Sequence, residues 1–248
     1  MTEHQPIRVL QFGTGVLLRG LCCEIIDRAL LDPTNPWDGR IMAVQSTGAG
    51  RADALEAAAC RYGVMVRGLA NGEPVRDQRT VGSIARAVAA DRDWSDVLDV
   101  ARSEDLRVII SNTTEAGLRP SDDDAPDDVV PRSYPAKLLR VLTTRFETRP
   151  GAAAPVVIPC ELIEDNGPVL RRAVLAVADR FGVSADLRRW VANDVIFAST
   201  LVDRICTRPE EGAELDVVVE PFAQWAIQAP SRASESLAFA RGVKGVSL

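Results

Sequence analysis

Apolar positions along this chain follow two rhythms, and the places where one gives way to the other outline its elements. Ile7-Arg8-Val9-Leu10-Gln11-Phe12 is a short β-prone run that stops at Gly13-Thr14-Gly15. Beyond it Leu17, Leu21, Ile25 and Leu30 recur near the helical period and predict a helix over 16–31, closed by Asp32-Pro33 and Asn35-Pro36. A second strand is predicted over 40–44, a short Ala-rich helix over 51–60, and a third strand over 62–69 that turns at Asn71-Gly72. Helical patterns follow over 81–90 and 94–102. The runs 107–112 and 155–159 are continuously apolar, as strands are when helices cover both faces of a parallel sheet. Each precedes a helical pattern, 134–146 with Pro135 in its first turn and 167–181. Two further strands are expected over 215–220 and 222–227. Strand and helix alternate throughout, so the chain reads as α/β, a doubly wound, mostly parallel sheet with extra strands near its C-terminus. The expected organisation is a disordered terminus over 1–6, one domain over 7–230, and the start of a link over 231–248.

Composition narrows the classes. The 248 residues are 46% hydrophobic and 26% charged, an ordinary globular balance. No apolar run approaches the roughly 18–20 residues of a membrane helix. The first six residues lack the basic and apolar regions of a signal peptide. A net charge of −6 speaks against a nucleic-acid partner. A cytoplasmic protein is therefore expected, with neither membrane nor nucleic acid as its partner. Cys22, Cys23, Cys60, Cys160 and Cys206 are odd in number, form no CxxC and sit in apolar stretches, so buried thiols are expected. His4 is the single histidine. Triads, Cys-His pairs and the usual zinc sites need a placed imidazole, so no metal is expected. The acidic run 122–128 lacks the spacing, glycine and final Glu of a calcium loop and reads as a solvated surface loop.

A strand, then Gly13-x-Gly15, then a helix is the first half of a dinucleotide fingerprint. One glycine makes the tight turn, the next lets backbone approach a pyrophosphate, and the helix N-terminus faces the anion. Leu18 stands where a third glycine is usual, and Arg19 beside it offers a fork of donors to phosphate. Methyltransferases and plain tight turns share this much. The end of the second strand usually carries a carboxylate for the ribose, but here it is Gln45-Ser46-Thr47, neutral. Either the amide and hydroxyls hold the ribose or Arg51 accommodates a 2′-phosphate, which leaves NAD and NADP both open.

Five strings then point one way: Gln11 to Gly20, Ser111-Asn112-Thr113-Thr114-Glu115-Ala116-Gly117, Ser133-Tyr134-Pro135-Ala136-Lys137-Leu138, Pro159 to Gly167, and Ser199-Thr200-Leu201-Val202-Asp203-Arg204-Ile205. Together they resemble the mannitol dehydrogenase family of long-chain polyol dehydrogenases over about residues 7–207. The resemblance implies a Rossmann-like NAD-binding domain and metal-free, NAD-dependent interconversion of a ketone and a secondary alcohol. The implied substrate is a small open-chain sugar acid, tagaturonate or altronate, with fructuronate or mannitol as alternatives. It places cofactor on Phe12, Gly13, Thr14, Gly15, Leu18, Arg19, Gln45 and Ser46, with Asn112 and Thr113 on the nicotinamide side. It puts Asp203, Asn166 and Glu161 in supporting catalytic roles; an anionic substrate must also meet local positive charge despite the net −6, for which Arg204 is a candidate. Plainer readings stand beside these: Asn112 as a strand-end cap, Asp203 and Arg204 as an internal ion pair, and Tyr134 with Lys137 as structural. The family also carries a helical C-terminal domain with Lys-x-x-x-x-Asn-x-x-His, whose lysine is the general acid–base, and no such string occurs here. Lacking that lysine costs about 10²–10⁴-fold, and lacking an oxyanion donor about 10²–10³-fold. The chain alone is therefore expected to bind dinucleotide and turn over little, with a missing C-terminal domain or self-association covering its open surface. A non-catalytic dinucleotide-binding module is the competing reading.

Overall fold

A computed structural model describes residues 5–113 and 115–248. The expected disordered stretch over 1–6 lies mostly outside them, as do His4 and Thr114. Pro6 is inside, and its carbonyl accepts the N–H of Arg40 at 2.8 Å.

Six parallel strands form the central sheet: β1 (Ile7–Phe12), β2 (Arg40–Gln45), β5 (Ile84–Ala89), β6 (Val108–Ser111), β7 (Val156–Pro159) and β8 (Ile196–Phe197). Their order across the sheet is β5-β2-β1-β6-β7-β8. The chain thus builds outward from β1 on one side, then returns to its other side with β6. The strand residues alternate between two cores. Val9, Ile41, Ala43, Ile110 and Ile158 face the helix at 16–31 and α2 (Gly50–Ala57). Leu10, Phe12, Met42, Val44 and Ile109 face α3 (Ala90–Arg102), α4 (Tyr134–Thr148) and α5 (Asn166–Arg180), to which α6 (Ala185–Asn193) adds a flank. Among the described residues no helix is long and apolar enough to cross a membrane.

Two smaller sheets lie against the first core. One is the hairpin β3 (Tyr62–Ala70) and β4 (Glu73–Val81), joined by β10 (Cys206–Thr207) and β11 (Val217–Val219). The other consists of β9 (Ser199–Asp203), β12 (Gln224–Gln228) and β13 (Val246–Ser247). Phe239 is fully buried with its ring centroid 5.4 Å from those of both Trp37 and Trp225. The stretch expected to begin a link is therefore packed onto the domain.

Three expectations are corrected. The helix anticipated over 81–90 is the end of β4 followed by the edge strand β5. Ala-rich sequence favours helix, but pairing with β2 buries Ile84, Ala87 and Val88. Carboxylates satisfy the free edge: Glu56 Oε1 accepts Ala87 N at 2.5 Å and Asp93 Oδ2 accepts Ala89 N at 3.0 Å. The acidic run is not wholly solvated either. Asp124 is buried, and its carboxylate accepts Arg132 N at 2.5 Å and Ser133 Oγ at 2.5 Å just before α4. The helix at 16–31 is found, but its Leu18–Cys23 segment is a π-helix, wider than the period implied. The thiols are free, and Cys22, Cys23, Cys60 and Cys160 are buried.

Candidate cofactor and active-site crevice

The sheet reverses its direction of growth between β1 and β6, the switch point at whose C-terminal strand ends open α/β sheets bind their ligands. The first wall is the Gly13–Gly15 turn. Gly13 holds φ +125°, and a Cβ on it would lie 2.7 Å from Leu18 Cδ1 and 3.2 Å from Asn112 O. Its N–H donates to Val44 O at 2.9 Å. Gln11, fully buried inside β1, donates from Nε2 to Gly13 O at 3.0 Å and accepts from Cys23 Sγ at 3.3 Å. Gly15 is the opposite case: an added Cβ would meet nothing within 4 Å. The turn is thus braced from below and bare above.

The side chains of Phe12 and Leu18 are fully buried, so they act as walls and offer no ligand contact. Arg19 departs further from expectation. Its guanidinium is buried, donates to Thr14 O and, at 3.1 Å, to Leu215 O, and lies 5.7 Å from the centre of the Tyr62 ring. Its fork is turned onto the carbonyl of the turn and away from open solvent. No carboxylate among the described residues pairs with it, its Nη2 has no partner, and burial pushes its pKa down. A buried cation without a counter-charge, beneath a turn open to close approach, fits the phosphates of a dinucleotide.

Sequence reasoning missed Gly20, whose close contact is with the side sheet of β10 and β11. A Cβ on Gly20 would meet Val219 Cγ1 at 2.8 Å and Cys206 Sγ at 2.9 Å, so Gly20 lets the helix approach this side sheet closely. Gln11 was missed too, and its signal was a lone amide in an otherwise apolar strand.

The second wall is built at the ends of β6 and β7. Asn112 Nδ2 donates to Cys160 O at 2.7 Å, which ties the two strand ends together as the plainer reading has it. Glu161 is buried, and its Oε1 accepts Thr113 N at 2.8 Å and Thr113 Oγ1 at 3.2 Å. Its Oε2 accepts Ser111 Oγ at 3.3 Å. Burial pushes the Glu161 carboxyl above its usual value, against the pull of these donors. Asn166 opens α5 and is buried. Its Nδ2 lies 3.1 Å from both Glu161 O and Thr200 Oγ1, and its Oδ1 accepts Thr200 N at 2.9 Å. The structure thus brings Asn112, Thr113, Glu161, Asn166 and Thr200 into one network.

Asp203 lies further along β9, exposed, with no side-chain partner among the described residues. Arg204 points the other way. It is buried, donates to Gly20 O at 2.7 Å and pairs with Glu24 Oε2 at 3.2 Å, so its donors are largely committed inside the fold. The internal ion pair exists, but its acid is Glu24, not Asp203. Glu24 also takes Arg79 Nη1 at 2.7 Å. Gln45 is committed as well: its Oε1 accepts Arg51 N and Ala52 N at 2.9 Å each, capping α2, and its Nε2 donates to Thr47 O. Lys137 is buried with its Nζ on Arg132 O at 2.8 Å, in a structural role, and Tyr134 packs 5.2 Å from Phe12.

Residues 7–240 match the family described as the mannitol dehydrogenase Rossmann domain. An altronate oxidoreductase of Halalkalibacterium halodurans is 35% identical over 253 residues, covering 96% of this chain and 49% of that protein. One from Yersinia pestis is 38% identical over 208 residues, covering 83% and 43%. The chain spans about half the length of the curated relatives it matches. Among solved structures, Pseudomonas fluorescens mannitol 2-dehydrogenase, a ternary complex with NAD and D-mannitol, superposes with a TM-score of 0.76 at 23% identity, covering 90% of this chain and 49% of that one. A D-sorbitol dehydrogenase gives 0.74 at 20% identity, covering 93% and 53%. These two likenesses establish the fold.

Proposed function

The chain belongs to the mannitol dehydrogenase family, whose Rossmann domain it carries, and on that premise we propose that it binds NAD in the crevice between β1 and β6 as the cofactor side of a sugar-acid reductase. The observation that carries the reading is the bare Gly15 backbone above the uncompensated Arg19 cation. NAD(H) supplies or takes the hydride in such a site. The chain's own residues orient and hold. Arg19 draws on the Thr14 carbonyl and fixes the turn. Glu161 holds Thr113, and Asn166 locks the start of β9 to the end of β7. That arrangement leaves the Asp203 carboxylate free to accept a hydrogen bond from a substrate hydroxyl. The favoured substrate is a hexuronate of the altronate–tagaturonate pair, after the name its relatives carry, with fructuronate and mannitol as alternatives.

The proton in this reading comes from a lysine outside residues 1–248, since the Lys-x-x-x-x-Asn-x-x-His string does not occur among them. These residues alone are then slow by about 10²–10⁴-fold. The same fact favours a second reading, a dinucleotide-binding module without chemistry. NADH titration followed by nicotinamide fluorescence tests the site. NADH oxidation by tagaturonate, with and without a supplied C-terminal half, separates the readings. No turnover from a folded, reconstituted protein would leave only the module.

A further inference from the structure

A dinucleotide whose pyrophosphate rests on the Gly13–Gly15 turn runs its adenosine outward across the ends of β2 and then β5. At the end of β2 the usual carboxylate is replaced by Gln45, and both ends of that amide are already bonded, to the N-terminus of α2 and to Thr47 O. The next strand outward supplies what is lacking. β5 ends at Ala89, and Asp91 stands in the first turn of α3. Its Oδ2 accepts the N–H of Gly48, in the loop that follows β2, at 3.3 Å. Its Oδ1 carries no hydrogen bond among the described residues, and the side chain is exposed. A carboxylate borrowed from the neighbouring strand therefore sits against the ribose loop with one oxygen to spare.

One cation, the buried Lys137 of α4 with its Nζ on Arg132 O at 2.8 Å, lies near enough to Asp91 for the two charges to attract; Arg51 lies on the other side. Arg51 begins α2 close enough to Arg19 for the two charges to oppose each other, toward the pyrophosphate turn. Crossing the sheet outward from β1, Arg51 after β2 comes first and the Asp91 carboxylate after β5 comes next. A 2′-phosphate would be set beside that carboxylate, whereas a 2′-hydroxyl would donate to it.

We infer that Asp91 is the acceptor for the adenosine ribose 2′-hydroxyl and makes this chain select NADH over NADPH; the inference rests on the cofactor reading above. The test is separate titration of the chain with NADH and NADPH, using the wild type, Asp91→Asn and Arg51→Ala, with a thermal melt of each protein. The wild type should bind NADH at least about ten-fold tighter than NADPH. Asp91→Asn should melt unchanged, lose about ten-fold on NADH, the scale of a hydrogen bond to a charged group, and close the gap between the nucleotides. Should Asp91→Asn melt lower, Asp91→Ser serves in its place. Equal or tighter binding of NADPH by the wild type overturns the inference, and if Arg51→Ala abolishes that preference the ribose position belongs to Arg51. An NADH:NADPH ratio unchanged in Asp91→Asn overturns it as well. Binding of neither nucleotide by a folded chain overturns the cofactor reading itself.

Discussion

Gly15 and Glu161 show how differently two residues of one crevice respond to change. Gly15 has open space above it and no positive φ, so Gly15→Ala costs the fold nothing. The added methyl would stand where backbone must approach phosphate. The expected result is an unchanged melting temperature with NADH affinity down about ten-fold or more; unchanged affinity would move the phosphate off this turn. Glu161 is buried and held by three donors, with its pKa raised by burial. A carboxyl raised in the folded state contributes stability that is fully present below its unfolded pKa and is lost as pH rises through the folded one. Glu161→Gln removes that titration, so its denaturation midpoint should vary less across the weakly acid range than that of the wild type. Parallel midpoint curves for the two proteins would show that Glu161 does not titrate there.

Among the elements, the helix at 16–31 carries most of the site's dependence on packing. Its Gly20 faces Val219 and Cys206 at distances no Cβ tolerates. Gly20→Ala should destabilise by about 1–3 kcal/mol, as overpacking does, measured by chemical denaturation; a neutral result would mean that β10 and β11 yield easily. This helix also marks the limit of legibility. Its span followed from apolar spacing and its glycine turn from the fingerprint, because both signals are local. The π segment Leu18–Cys23 within it has no local signature. The surroundings of Arg19 and Arg204 were illegible for a related reason. A sequence shows that an arginine is present, and only the tertiary partners Leu215 and Glu24 show that each is buried. The strand β5 was hidden because alanine favours helix in isolation, and the carboxylates capping its edge are remote in sequence or in the next element.

At the scale of the molecule, the strand order sets one switch point, where β1 and β6 pair and the chain leaves them to opposite sides of the sheet, and β9 with the residues just after it carries exposed apolar positions. Leu201 and Ile205, exposed at 59% and 64%, flank Asp203. Apolar surface of this kind favours association. The chain is expected to self-associate through it. Leu201→Glu should lower the weight-average mass in sedimentation at equal concentration without shifting the melt. An unchanged mass would place the contact elsewhere.

The pairing of β11 with β3 has a consequence in time. Residues 217–219 lie alongside 64–66, and the segment that carries them also provides Leu215 O for Arg19 and the Val219 wall behind Gly20. The Gly13–Gly15 turn leaves the ribosome about two hundred residues before its back support does. Contacts so distant in sequence form late. A nascent chain ending before about residue 220 would hold the glycine turn without the wall it leans on. Acquiring the nucleotide would then report that synthesis has passed β11, so the turn would be made well before it becomes competent.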